Sequence, residues 1–269
     1  MKRLLGTLAM CVLLAACGNS GEDENTFVVG MECNYAPFNW QSASETDTSV
    51  SIGGAGYCDG YDVMVAQQIA DELGRDLEVR KLEWDGLQLA LESGEITAII
   101  AGMTANEKRE AGIDFTTPYY ESEMVMIVSK DSDLTSATSI QDFSGRNVIG
   151  QMNTNYDTVI DEIEGVNHLT PKGTYPELVV TLQSGEADGI PAELPVAQGI
   201  VEANPDLTIV QFEEGQGFTS IDTSVSIGLK EGSRDSELFN AVQAALDNIS
   251  LETRDEWMSS AKDNAPTGE

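Results

Sequence analysis

The sequence predicts an α/β protein in two lobes of similar build, each a central sheet flanked by helices. Short apolar runs alternate with stretches whose apolar residues recur at helical spacing, the pattern of sheets covered by helices. One helix–turn–strand unit is also written twice. Leu87-Gln88-Leu89-Ala90-Leu91-Glu92-Ser93-Gly94-Glu95 leads into the apolar run 96–101. Leu178-Val179-Val180-Thr181-Leu182-Gln183-Ser184-Gly185-Glu186 leads into 187–192. In that register Gly102 ends one strand and Glu193 ends the other. If both strand ends face one cleft, an acid from one lobe opposes the loop that follows Gly102 in the other.

The chain starts with basic Met1-Lys2-Arg3, continues through an apolar stretch over 4–16, and reaches Leu14-Ala15-Ala16-Cys17-Gly18. Basic start, apolar middle and small residues describe an export signal. A Cys directly after the small residues resembles the bacterial lipobox, in which cleavage leaves Cys17 as a lipid-bearing N-terminus. Residues 1–16 are therefore expected to be a lipoprotein signal peptide. Residues 17–25, small, polar and acidic, read as a flexible tether. No later run is long and apolar enough to span a bilayer. Acidic residues number 46 against 14 basic, a formal charge of −32. Such a balance excludes nucleic acid and bare anionic lipid as partners and favours the approach of cations, subject to salt screening. It equally suits solubility in salty surroundings.

The body opens with an apolar strand over 26–31, which runs into Glu32-Cys33-Asn34-Tyr35-Ala36-Pro37-Phe38-Asn39-Trp40. One acid and three aromatics just beyond a strand end stand where open α/β sheets bind ligands; the same aromatics also suit simple loop packing. Residues 41–56, rich in Ser, Thr and Gly, read as an exposed excursion. Val63, Ala66, Ile69, Ala70 and Leu73 have helical spacing over 62–73, and Gly74 ends that helix. A strand is expected at 77–82, and Trp84-Asp85-Gly86 opens a helix through Leu91.

After the strand 96–101, Thr104 stands three residues before Glu107, the spacing of a capping box. Backbone N–H groups at such a helix start attract an anion, and Arg109 adds a planar fork suited to a carboxylate. An ordinary cap beside a surface arginine is the other reading. Pro118 forbids a helix through 113–120, and strands are expected at 124–129 and 147–150. Gln151-Met152-Asn153-Thr154-Asn155-Tyr156 then forms a second polar strand-end loop that starts a helix. Cys33 and Cys58 remain beyond Cys11 and Cys17; outside a membrane they form either a disulfide or two separate thiols. His168, the one histidine, is expected on the surface in the loop 167–173. No metal-ligand cluster and no nucleophile–base pair is visible, so no cofactor is expected.

With Tyr35-Ala36-Pro37-Phe38, Gly60-Tyr61-Asp62-Val63, Trp84-Asp85-Gly86-Leu87, Ala101-Gly102-Met103-Thr104 with Glu107-Lys108-Arg109, Asp114-Phe115-Thr116-Thr117-Pro118-Tyr119-Tyr120, and the two Ser-Gly turns, nearly the whole mature chain resembles one family. It is similar to the substrate-binding lipoproteins of polar amino-acid ABC importers, the bacterial extracellular solute-binding proteins of family 3, with the type II periplasmic-binding fold. The resemblance implies lobe 1 over 26–120 and 222–269, lobe 2 over 121–221, and two hinge crossings between them. It implies a ligand carboxylate held by Arg109, Thr104 and Thr154, and an α-amino group held by the Gly102 carbonyl and Glu193. Glu32 then faces the distal end of the ligand, Tyr35 and Trp84 sandwich its side chain, and Gln151 lies in the closing loop. Asn153 replaces the usual glycine of that loop, and Glu193 replaces the usual aspartate. A carboxylate and two aromatic faces suit a basic side chain; a neutral polar ligand such as glutamine is the alternative, and a dehydratase-type enzyme on the same fold a further one. The implied partners are a free amino acid, an ABC permease with its ATPase, and the membrane through the lipid anchor, for a monomer on the outer face of the cytoplasmic membrane.

Overall fold

A computed structural model describes residues 25–220 and 222–266. The expected signal peptide, the lipidated Cys17 and the tether up to residue 24 lie outside the described residues. The first strand, β1 (Thr26–Met31), alternates into full burial and runs into a small sheet formed by β2 (Asn34–Tyr35), β3 (Asn39–Ser42), β4 (Val50–Ser51) and β5 (Tyr57–Asp59). The expected excursion therefore carries strands of its own. Helix α1 (Tyr61–Leu73) buries the face bearing Val63, Ala66, Ile69 and Ala70, and stops at Gly74 in the left-handed conformation (φ 66°). A glycine relieves the steric penalty of that stop.

Strand β6 (Asp76–Lys81) pairs parallel with β1, and helix α2 (Leu87–Ser93) leads to β7 (Ala98–Ile99) on the other side of β1. A four-residue helix, α3 (Glu107–Glu110), precedes β8 (Ile113–Tyr120). The chain then leaves this sheet for β9 (Met124–Ser129), β10 (Asn147–Val148), α4 (Asn155–Thr158), β11 (Asn167–His168), α5 (Tyr175–Gln183), β12 (Ile190–Glu193), α6 (Leu194–Ala203) and β13 (Leu207–Val210). It returns as β14 (Val225–Lys230) and finishes with α7 (Glu237–Asp247) and α8 (Leu251–Asn264).

The five-stranded sheet has the order β6-β1-β7-β14-β8, and a separate three-stranded sheet has the order β12-β9-β13. Strands early and late in sequence thus share one sheet, while the middle of the chain builds another. Where the chain passes between them, the Thr223 hydroxyl donates to the Ser122 carbonyl, joining the outgoing and returning segments. The duplicated unit appears as α2 with β7 and as α5 with β12, each with a left-handed glycine in its turn, Gly94 (φ 79°) and Gly185 (φ 75°). The copies differ in pairing: β7 lies parallel to β1, whereas β12 lies antiparallel to β9.

Apolar runs overstate ladder length. Only Ala98–Ile99 of 96–101 pairs, and only Asn147–Val148 of 147–150, although Ile96, Ile100 and Ile149 are all buried. Burial drives the apolar composition, and backbone pairing is a narrower condition. Cys33 and Cys58 are joined, which ties the loop after β1 to β5.

Candidate functional site

Strand ends from two parts of the fold meet along one seam. The part around the five-stranded sheet supplies Glu32, directly after β1, Gly102 to Thr104 beyond β7, and Tyr35 of β2 in the small four-stranded sheet. The middle of the chain supplies Glu193, at the end of β12 in the three-stranded sheet, and Gln151, Thr154 and Tyr156 beyond β10, which pairs with β11. Glu193 has no exposed surface and Glu32 only 3%. Both are carboxyls placed where water cannot solvate their charge.

Each acid is met by a neutral donor from the opposite side of the seam, and Glu193 by a second from its own side. The Tyr35 hydroxyl donates to Glu193 Oε2 at 3.3 Å, and the Tyr156 hydroxyl donates to Oε1. Gln151 Nε2 lies 3.1 Å from both oxygens of Glu32 and 2.9 Å from the Gly173 carbonyl. Among the described residues neither acid forms an ion pair. Burial pushes Glu193 up to about 8, against the pull of the Tyr156 and Tyr35 hydroxyls, with Asp62 adding to the rise. Burial likewise pushes Glu32 up to about 7, opposed by Gln151 and reinforced by Glu83.

Arg109 sits at the other end of the seam. Its Nη1 donates to the Thr104 carbonyl at 2.6 Å and its Nη2 to the Asn153 carbonyl at 3.4 Å, while its guanidinium lies 5.1 Å from the centroid of Trp84. Burial lowers it to about 10, which leaves it cationic at neutral pH. Trp84 Nε1 donates to the same Asn153 carbonyl at 3.3 Å, and Asn153 Nδ2 donates to Asp85 at 2.8 Å. Asn106 donates to Asn155 at 2.8 Å alongside. Asn153 has φ 59°, a left-handed geometry that asparagine tolerates better than other residues with a Cβ. It can therefore stand in a glycine-like turn and add a side chain across the seam. A cavity of about 820 Å³ opens at this end, lined by Trp84, Asn106, Arg109, Asn153, Thr154 and neighbours. Glu32 and Glu193 are not part of its lining.

Two expectations change. Thr104 does not cap a helix: α3 begins at Glu107, and the Asn106 side chain accepts from the Arg109 N–H at 2.9 Å. Thr104 is instead buried and lends its carbonyl to the guanidinium. Tyr35 packs on Phe38 and Tyr175, with ring centroids at 5.5 and 5.1 Å, and Trp84 covers Arg109. His168 is no free surface group, because its ring nitrogens lie 2.9 Å from both Asp157 and Asp161. Burial works against its protonated form, and the two aspartates outweigh that and raise its pKa.

Thr154 does act as a cap, its hydroxyl accepting from the Asp157 N–H at 3.3 Å at the start of α4. Gly102 adopts φ 61°, and a Cβ there would lie 3.0 Å from the Tyr35 ring, so the loop needs glycine both for its turn and for the ring above it. Tyr156 and Tyr175 complete the wall around Glu193, and sequence reasoning assigned them no role. Tyr156 stood inside the polar loop already singled out; Tyr175, opening a helix before a proline, carried no local mark.

The chain matches the model for bacterial extracellular solute-binding proteins, family 3, over residues 27–259. It is 28% identical to the L-cystine-binding protein TcyJ of Escherichia coli K12, covering 90% of this chain and 88% of that one. It is also 28% identical to the arginine-binding extracellular protein ArtP of Bacillus subtilis, over 97% of this chain and 99% of the relative. Among solved structures it superposes on the amino acid ABC transporter substrate-binding protein AbpA of Streptococcus pneumoniae bound to L-arginine. The TM-score is 0.76 at 28% identity, with 89% of this chain and 95% of that one covered. These relatives are binding proteins of transporters and not enzymes. Two sheets meeting at a seam of buried acids, across nearly the full length of such relatives, place this chain in family 3 of the bacterial extracellular solute-binding proteins, as an amino-acid ABC transporter substrate-binding protein.

Proposed function

We propose that the chain captures a free basic amino acid, of the arginine, lysine or histidine kind, by closing two lobes around it, and presents it to an ABC permease and its ATPase. The observation that carries this reading is the charge inventory of the seam. Among the described residues Glu32 and Glu193 are buried acids without ion pairs, and Arg109 is one half-buried cation paired with neither. A ligand with one carboxylate and two cationic groups supplies the missing partner to each. The carboxylate goes to Arg109 with Thr104 and Thr154, the α-ammonium to Glu193 and the Gly102 carbonyl, and the side-chain cation to Glu32 and Gln151. Buried charges are tolerated when paired and hydrogen-bonded, so the pairing favours the closed form.

Lobe 1 is assigned to 26–120 and 222–269, lobe 2 to 121–221, with hinge motion at the two crossings. Cys17 is assigned as the lipid-bearing residue that tethers a monomer to the outer face of the membrane. A second reading, capture of glutamine, draws on the Gln151 contact to Glu32: an acid raised to about 7 can stay protonated and meet an amide. Thermal-shift measurements over the common amino acids test both, since a ligand that binds only the folded form raises its melting temperature. The largest shifts are expected for L-arginine and L-lysine. A shift with L-glutamine alone supports the second reading, and no shift with any of them refutes both.

A further inference from the structure

Asp62 lies at the start of α1, fully buried, and among the described residues it forms no ion pair. Its two oxygens point to two different loops. Oδ1 accepts from the Tyr119 hydroxyl at 2.6 Å, and that hydroxyl accepts from the Gly102 N–H at 3.0 Å. Oδ2 accepts from Asn39 Nδ2 at 2.7 Å, and Asn39 Oδ1 accepts from the Cys33 N–H at 2.6 Å. The two amides reached in this way belong to left-handed residues, Gly102 at φ 61° and Cys33 at φ 52°. One opens the loop that carries Thr104; the other directly follows Glu32.

A left-handed residue with a Cβ is disfavoured on its own, by roughly 1–2 kcal/mol, and persists only where its surroundings hold it. Cys33 is held by its disulfide and by Asn39. Tyr119 is fixed at both ends, because its carbonyl accepts from the Tyr61 hydroxyl at 2.9 Å. The backbone N–H groups of Tyr61 and Asp62 also donate to the carbonyls of Pro37 and Phe38, at 3.1 and 2.8 Å. Helix α1 thus grips the loop below Tyr35 as well. A carboxylate suits the centre of this network for a chemical reason. It accepts on both oxygens, whereas an asparagine in its place offers one acceptor and turns an NH₂ group toward one of the two donors.

We propose that Asp62 is a positioning residue for ligand capture: through Tyr119 and Asn39 it sets the Gly102 and Cys33 turns, and so holds both first-lobe loops in register for one ligand. The assignment rests on the cleft reading above. It places the Gly102 carbonyl for an α-ammonium and Glu32 for the far end of the side chain without Asp62 touching either.

The test uses the mature soluble body and the substitutions Asp62→Asn and Tyr119→Phe, read by residue-resolved amide hydrogen exchange and by calorimetric titration with L-arginine. In Asp62→Asn, exchange at both Gly102 and Cys33 is expected to rise at least about tenfold, with Val128 in the other sheet unchanged, and affinity to fall about tenfold. Tyr119→Phe should free Gly102 alone, and it serves if Asp62→Asn fails to fold. A purely structural Asp62 would lower the melting temperature and leave the affinity of the folded protein unchanged well below it; that outcome overturns the proposal. So does unchanged exchange at Gly102 in Tyr119→Phe. If the wild type binds no L-arginine, the basic-ligand reading fails separately. The exchange pattern, with the affinity for whichever amino acid the thermal-shift panel identifies, then decides the role of Asp62.

Discussion

Glu193→Gln separates the two consequences of placing an acid in a dry seam. The carboxyl rises from 4.5 to about 8, so ionising it in this buried setting costs on the order of 5 kcal/mol more than in water. The folded form therefore holds a proton that the unfolded chain releases between pH 4.5 and 8. Stability from this group is full in acid and is lost as pH rises through about 8. Glutamine keeps the shape and removes the charge. The unliganded variant is expected to gain melting temperature over wild type at pH 9 and to show no such gain at pH 5. Binding responds in the opposite direction. An α-ammonium closed against a neutral amide loses its counter-ion, at about 3 kcal/mol or more, which is at least roughly a hundredfold in affinity. Differential scanning fluorimetry at the two pH values and calorimetry with L-arginine read both effects. Affinity within threefold of wild type would refute the role of Glu193, whatever happened to the melting temperature.

The raised carboxyls also make binding release protons. Both Glu32 and Glu193 must ionise to receive cations, so affinity for L-arginine is expected to climb from pH 5 to pH 8. Titration at pH 7 in buffers of different ionisation enthalpy should report release of roughly one to two protons; pH-independent affinity would contradict the pairing. Arg109→Ala should keep the fold, read by circular dichroism, and abolish measurable binding, because a buried ligand carboxylate is left unpaired at several kcal/mol. Replacing Cys33 and Cys58 by serine opens a loop with a sequence separation of 25. Urea denaturation is expected to show a loss of about 3 kcal/mol, matched by reducing the wild type.

Periodic and punctuated segments were legible in the sequence. The helix expected over 62–73 forms as Tyr61–Leu73, because five apolar residues at helical spacing precede a glycine that can turn left-handed. The strand 26–31 forms as Thr26–Met31. Aligning the duplicated unit brought Glu193 to a strand end, and it stands in the fold as a wholly buried acid. The cap at 101–109 was misread for a local reason. Thr104 has the capping-box spacing to Glu107, yet Asn106 stands directly before the helix and its side chain reaches the Arg109 amide. What sequence could not show was pairing across long separations. Tyr35 meets Glu193 and Trp84 meets Asn153 only because the two parts of the fold converge, and Tyr119 meets Gly102 only through the strand order of one sheet. Composition marks such residues as aromatic and leaves their partners open.

The convergence also explains why the seam does not neutralise itself. Arg109 and the two acids lie on one seam, and an ion pair between them would satisfy both signs without any ligand. Each of these ionisable groups instead has a neutral companion. Arg109 is held by two backbone carbonyls beneath Trp84, Glu193 by two phenols, and Glu32 by an amide. Hydrogen bonds between a charged and a neutral group are weaker than pairs of opposite charges with the same geometry. Each contact is strong enough to keep a side chain in place and weak enough to be exchanged. A molecule carrying both signs at the right spacing gains at every exchange, while one carrying a single sign leaves a buried charge without a partner. On the proposed ligand set, selectivity for a zwitterion follows from keeping the protein's own ionisable groups apart.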